Sequence, residues 1–303
     1  MHKWTAKSTN PEQAARDTLS AAMWMHATFR DEVWLWRGQA DVAHGLEPGM
    51  HTRVLAAAEF PHNEDSVAQA TQHLLNVSRA AGLDRQEKTT LPDLALLAHL
   101  QHYGAATPLL DVSTDPLIAL WMVAFASARE PDALDDKSGA LFGIRRPPPS
   151  RWIRPLDARP YASSSLPSVS SSLGNEVWWY QAPDVTDRLR IQRGSFLIGA
   201  LAHPRARKTT TLPLMSTSKK NWVRARMDRR GKPSNTTRAS TDVFRVVVRG
   251  ATKKYLRDLL QNRSGLSVEA VYPTPWHRPF ISEFAETYGR RRPISQDIAP
   301  ESL

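Results

Sequence analysis

Residues 91–128, LPDLALLAHLQHYGAATPLLDVSTDPLIALWMVAFASA, constrain the fold more than any other part of the chain. Pro92 suits the opening of a helix running to about Tyr103, and Gly104 suits its left-handed C-terminal cap. Thr107 to Val112 follows as a short extended run. Asp115-Pro116 then supplies an N-cap and first-turn pair for a second helix through Ala128. Leu117, Ile118, Leu120, Trp121, Met122, Val123, Ala124 and Phe125 make that helix apolar nearly all round, which requires a central, buried position. Asp111, Ser113 and Thr114 therefore stand at the mouth of a core helix.

A second constraint is the run Trp34-Leu35-Trp36-Arg37-Gly38-Gln39. Strand side chains alternate, so Trp34 and Trp36 share one face while Leu35, Arg37 and Gln39 share the other. A guanidinium keeps its proton, and burying it unpaired is costly. Something anionic or carbonyl-rich should meet Arg37, and Gly38 lets a ligand or another backbone come close.

Around these two segments the pattern gives a helix over Pro11 to Phe29, a turn over Gly45 to Gly49 and a mostly helical stretch from Thr52 to Arg79. Strands are predicted over Ala140 to Ile144, Glu176 to Tyr180, Arg190 to Leu201 and Asp242 to Arg249, a helix over Lys253 to Asn262, and a last short strand over Val268 to Tyr272. Residues 145–172 are Pro- and Ser-rich and read as a long loop or poorly ordered insertion. Helices come first, then strands, with one late helix. That order describes an α+β chain forming a single domain over 1–303, with a core over about 33–272 and loop insertions at 145–172 and 203–241.

Charge is concentrated. The chain carries a formal +10, and from His203 to Thr241 eleven Lys or Arg face one acid, Asp228, so this segment accounts for the whole excess. Lys219, Lys220, Trp222, Arg224, Arg226, Arg229 and Arg230 interleave an aromatic with cations, a pattern suited to phosphate neutralisation and base stacking. A nucleic-acid partner is the corresponding expectation; a solvated surface loop is the bland alternative. The chain has no cysteine, which excludes disulfides, thiolate metal sites and cysteine nucleophiles. With no signal-like N-terminus and no run of about 18 uncharged apolar residues, a cytoplasmic protein without a membrane partner is expected.

Common catalytic motifs are missing: no G-x-G-x-x-G, no G-x-x-x-x-G-K-[ST] and no G-x-S-x-G occurs. His99 and His102 are three apart on one helix, but without a further ligand this pair reads as packing, and no metal is predicted. The polar set that remains is Arg37, Gln39, His102, Tyr103, Thr107, Asp111, Ser113, Thr114 and Gln192.

At these residues the sequence resembles a known family. LWRGQ, LALLAHLQHYGAATPLLDVSTDPLIALWMVAFA, RIQRGSF and LRDLLQNRSGLSVEAVYP resemble, in order, the segments of the FRG domain family over roughly Val33 to Tyr272. Trp36-Arg37-Gly38 stands at the aromatic-Arg-Gly signature, and His102 to Ser113 is the specific central part. The order Arg37, then Ser113 or Thr114, then Gln192 is also similar to the three-part signature of ADP-ribosyltransferases. That second resemblance implies an ADP-ribosyltransferase-like split β-sheet core with N-terminal helices, and NAD as substrate. Arg37 would hold the dinucleotide phosphates, with Gln39, His102, Tyr103, Thr107, Ser113 and Thr114 forming the rest of the NAD site. Gln192 stands where such transferases usually have Glu, which leaves three alternatives: Asp111 or Glu176 substitutes, the nucleophile needs no base, or the site binds without turnover. The implied role is an NAD-dependent transferase acting on a macromolecule, nucleic acid included, in a toxin or phage-defence setting with an antitoxin or defence partner. A non-catalytic module binding nucleic acid or a nucleotide is the rival.

Overall fold

The computed structural model describes residues 2–28, 34–86, 89–183, 187–201, 212–216, 242–272 and 279–298. Its strands are β1 (His2–Thr5), β2 (Trp34–Gln39), β3 (Arg85–Gln86), β4 (Thr89–Thr90), β5 (Leu110–Ser113), β6 (Gly139–Arg145), β7 (Trp152–Ile153), β8 (Val177–Tyr180), β9 (Gly194–Gly199), β10 (Met215–Ser216) and β11 (Asp242–Val248). The helices are α1 (Pro11–Thr28), α2 (Gly49–Ala56), α3 (Glu64–Ala80), α4 (Asp93–His102), α5 (Pro116–Ala124), α6 (Val169–Leu173), α7 (Asp187–Ile191), α8 (Gly250–Ser264), α9 (Val268–Val271) and α10 (Pro279–Thr287). The fold is mixed α+β. A mostly antiparallel sheet runs β1-β11-β6-β2-β5-β9-β8-β7, with β10 beside β11, while β3 and β4 form a separate hairpin.

The predicted caps are present. Asp115 accepts a hydrogen bond from Leu117 N at 2.8 Å with Pro116 in the first turn of α5, and Gly104 leaves α4 at φ +109°. Elsewhere the local pattern needs correction. Val268 to Val271 is helix, not strand, because Ser267 caps it by accepting from Ala270 N at 3.2 Å. The predicted strand from Arg190 divides: α7 ends at Ile191, Arg193 turns the chain at φ 46°, and β9 begins at Gly194. α5 stops at Ala124, since Phe125 turns extended and stacks on Trp121 at 4.1 Å. The helices-first order also fails: β1 precedes them and pairs in parallel with β11. Residues 145–172 are not a bare loop; they supply the edge strand β7, the first turn of α6 and a fully buried Tyr161.

The sheet is jointed in its middle. β2 pairs with β6 from Trp34↔Arg145 to Gln39↔Ala140, and β5 pairs with β9 from Leu110↔Leu197 to Ser113↔Gly194. Between them, β2 and β5 meet only at Trp36↔Ser113. One half-sheet packs Trp34, Trp36, Phe244 and Val246 against α1, α5 and α8. The other packs Tyr180, Phe196 and Ile198 against α4. Leu35, Phe142 and Ile144 from the first half cluster with Leu110, Trp179 and Leu197 from the second, so the two halves fold toward each other across a shared core.

Three buried titratable groups couple this packing to pH. Burial pushes His51 on α2 and His102 on α4 down to about 3, and pushes Glu64 on α3 up to about 7. The histidines are stored neutral, so their stabilisation is complete above the unfolded value of 6.5 and is lost as pH falls toward 3. Glu64 acts oppositely: its contribution is complete below 4.5 and is lost as pH rises through 7. From pH 6.5 to 4.5 the unfolded chain therefore binds a net one extra proton, and two below 4.5. Unfolding free energy is expected to fall by on the order of 1 kcal/mol per pH unit in the first window and about twice that in the second. Denaturant melts across this range check it, and His51→Gln should remove one proton from the slope; an unchanged slope contradicts the assignment.

Candidate functional site

The joint between β2 and β5 is where the functional side chains gather. Arg37 extends from β2 with its side chain only 10% exposed, and Nη1 donates to the Asp111 backbone carbonyl at 2.7 Å and to the Asp111 carboxylate at 3.4 Å. With its amide oxygen turned toward the guanidinium, Gln39 accepts from Nε and Nη2 at 3.0 Å each. Alternation along the strand put Gln39 on the face of Arg37, and it serves there as the orienting partner. Burial lowers the Arg37 pKa; Asp111 opposes that effect, and Arg290 adds to it. The close backbone at Gly38 is α5: a Cβ there would lie 1.9 Å from the Ala119 carbonyl oxygen.

A cavity of about 220 Å³ occupies the joint. β2, β5 and the start of β9 form the sheet wall, α5 contributes Ile118, Ala119 and Met122, and the α4 terminus, α7, Gln192 and Tyr272 line the rest. Arg37, His102, Asp111, Ser113 and Gln192, predicted separately from the sequence, all line it. Asp111 is half-exposed and is the only carboxylate among the described lining residues.

Ser113 and Gln192 are bonded to their surroundings. Ser113 Oγ donates to the Gln192 carbonyl at 2.8 Å and accepts from Asp115 N at 2.9 Å, while Gln192 Nε2 donates to the Val271 carbonyl at 3.2 Å. Together they brace the start of α5 against the turn before β9 and against α9. Thr107 lies behind the wall, fully buried, donating to the Gln101 side chain and accepting from Leu109 N at 3.1 Å. Thr114 lies beside it, donating to the Arg193 carbonyl at 3.5 Å. Tyr103 stacks edge-on with His99 at 5.3 Å, outside the lining. Glu176 pairs with Arg151 at 2.5 Å, also outside the lining. Lys219, Lys220, Trp222, Arg224, Arg226, Arg229 and Arg230 lie outside the described residues.

Four further wall residues, Gln101, Met122, Arg188 and Tyr272, were not among the predicted site residues. Arg188 lies on α7, its guanidinium carbon 4.1 Å over the Tyr272 ring, and Nη1 donates to the His102 carbonyl at 3.1 Å. Neither ring nitrogen of His102 nor Arg188 Nε has a hydrogen-bond partner among the described residues. Burial, Arg188 and His99 lower the His102 pKa to about 3, Asp111 opposing, so the imidazole is neutral at physiological pH. Among the described residues, no group of three His, Cys, Asp or Glu side chains is placed to hold a metal ion, and no helix is long and apolar enough to cross a membrane.

No curated protein and no solved structure matches the chain. Residues 32–133 match the FRG domain family. That span runs through β2, α4, β5 and α5, the elements that meet at the joint. The matched span, residues 32–133, supplies Arg37, His102, Asp111 and Ser113 to the cavity wall.

Proposed function

We propose that the cleft at the β2–β5 joint binds NAD and transfers ADP-ribose to a macromolecular target. One observation carries this: Arg37, Asp111 and Ser113 converge on a single cavity at the point where the sheet parts. A guanidinium fork suits a pyrophosphate through charge-assisted hydrogen bonds. The Asp111 carboxylate holds Arg37 at 3.4 Å, the weaker of its two Asp111 contacts, so a phosphate can take its place while the 2.7 Å bond to the carbonyl persists. A cavity of about 220 Å³ suits the nicotinamide ring, with the rest of the dinucleotide along the mouth.

In transfer, the bond between the nicotinamide nitrogen and ribose C1′ breaks and its electron pair leaves with nicotinamide. The acceptor's lone pair then bonds to C1′ and its proton passes to a base. Asp111 is the wall's carboxylate and takes both roles: it opposes the oxocarbenium charge and receives that proton. Gln192 braces the wall through its amide. Arg37→Ala and Asp111→Asn are each expected to lower label transfer from NAD by on the order of 100-fold. Incubation with labelled NAD and RNA, DNA or lysate measures this. No NAD binding and no nicotinamide release by the wild type removes the proposal; survival of activity in Arg37→Ala removes the site.

A second reading, a nucleotide- or nucleic-acid-binding module without turnover, is favoured by the amide at Gln192, whose donor is already engaged with Val271. It is distinguished by NAD binding that persists in Asp111→Asn with no nicotinamide released by either protein. The toxin or phage-defence setting and the antitoxin partner rest on the family resemblance alone.

A further inference from the structure

Residues 145–154, RRPPPSRWIR, contain four arginines, a tryptophan and no acidic residue. The strip leaves interior strand β6 at Arg145 and supplies the edge strand β7 with Trp152 and Ile153. Trp152 lies on β7, pairs in register with Trp179 of β8, and meets its ring edge-on at 5.0 Å. The Arg146 guanidinium carbon sits 4.7 Å from the Trp152 ring centroid and 5.1 Å from that of Trp179. Trp152 Nε1 donates to the Pro147 carbonyl at 2.8 Å, which fixes the ring. Even so the residue stays 38% exposed, and Arg154 and Leu156 beyond it are exposed as well.

Among the exposed apolar side chains, Trp152 has its ring fixed by its own hydrogen bond and a cation against it. Two acids offset part of the strip's charge: Glu176 pairs with Arg151, and Asp157, paired with Arg159, also acts on Arg154 through its charge. Arg146 remains, its guanidinium held against the oriented Trp152 ring.

The register places the start of this strip, Arg145 at the end of β6, beside the attachment points of the most basic segment of the chain. β10 ends at Ser216, opposite Val243 of β11, and Val243 stands opposite Ile144, the residue before Arg145. Residues 217–241, with eight Lys or Arg and one acid, therefore leave and re-enter the sheet at the end where the arginine strip begins.

We infer that Arg146, Trp152 and Arg154 form a binding site for single-stranded nucleic acid, with a base stacked on Trp152 and adjacent phosphates held by the arginines. The chemistry fits: an aromatic face accepts any base, and clustered cations neutralise the backbone. Two-stranded nucleic acid has no free base to offer the ring. The site shares no residue with the lining of the Arg37 cavity and stands whether or not NAD is turned over.

Fluorescence anisotropy with labelled 12-nucleotide oligo-dT and oligo-U, and with a duplex of the same length, tests it without NAD. Single strands should bind more tightly than duplex, Trp152→Leu should weaken them about tenfold, and Trp152→Phe should restore most of the affinity. Arg154→Gln should reduce the salt dependence by about one ion. Leucine keeps apolar bulk without a π-face, so a matching melting temperature in Trp152→Leu separates lost stacking from lost folding. Photo-crosslinking with 5-bromouracil oligonucleotide should map to residues 145–154. Wild-type affinity within twofold in both Trp152→Leu and Arg154→Gln, crosslinks elsewhere, or no single-strand preference overturns the inference. So does self-association abolished by Trp152→Leu without any oligonucleotide binding, which would make the face a protein contact.

Discussion

Gly38→Ala is expected to destabilise the protein by about 3 kcal/mol or more, a large share of a typical domain's total. The added Cβ would lie 1.9 Å from the Ala119 carbonyl oxygen, 2.8 Å from Met122 Cβ and 2.9 Å from Val123 N, all atoms of α5. None is the far end of a flexible side chain, so relief requires α5 to move away from β2. That helix is buried on most of its surface, including Ile118, Leu120, Trp121 and Val123, and moving it disturbs the core on every side. It also carries Ile118, Ala119 and Met122 of the cavity, so ligand binding should fall with stability. Denaturant midpoints measure the loss. Ala119→Gly should not rescue it, because the clashing atom is a main-chain oxygen. A loss under about 0.5 kcal/mol would show that strand and helix are not so closely apposed.

Asp297→Ala should cost about 3–5 kcal/mol, the usual penalty for removing one partner of a buried ion pair. The side chains of Arg53 and Asp297 are both fully buried and paired. Arg53 on α2 also donates from Nε to the Arg292 carbonyl at 2.8 Å, and Asp297 accepts from Arg292 Nε at 2.8 Å. Without the carboxylate, two guanidiniums share a closed space with no countercharge. The effect should spread to the cavity: the Tyr288 carbonyl accepts from Ala106 N at 2.8 Å, tying this C-terminal segment to the turn between α4 and β5. Hydrogen exchange should therefore quicken at Ala106 and Thr107 as well as in α2. Asp297→Asn, which keeps the shape and loses the charge, should fall between the two. A loss below about 1 kcal/mol in Asp297→Ala would contradict a buried pair.

Much of the frame was legible because its causes are local. Asp115, Pro116 and Gly104 mark helix ends through bonds and dihedrals within one turn, and those ends are where they were predicted. Val268 to Tyr272 misled because five apolar-rich residues fit either period, and only the Ser267 cap decides for helix. Residues 145–172 misled by composition: Pro and Ser suggest a loop, but Trp152 and Ile153 find a partner in β8, and Tyr161 finds a core. Five of the predicted site residues line one cavity, since each was a polar residue next to an apolar element. Arg188 and Tyr272 escaped notice because nothing within a few residues of either distinguishes it.

By itself the sequence determined the apolar character of α5, the alternation that sets Arg37 and Gln39 on one face, and the confinement of the net charge to residues 203–241. These follow from helical and strand periodicity and from counting. The tertiary structure alone decided that Arg37 grips Asp111, 74 residues away, that Gly38 admits α5, and that β2 and β5 meet at a single pair. Those contacts join segments whose separation in the chain carries no local signature. They form only where packing of the two half-sheets brings the guanidinium of β2 within reach of the Asp111 carbonyl on β5.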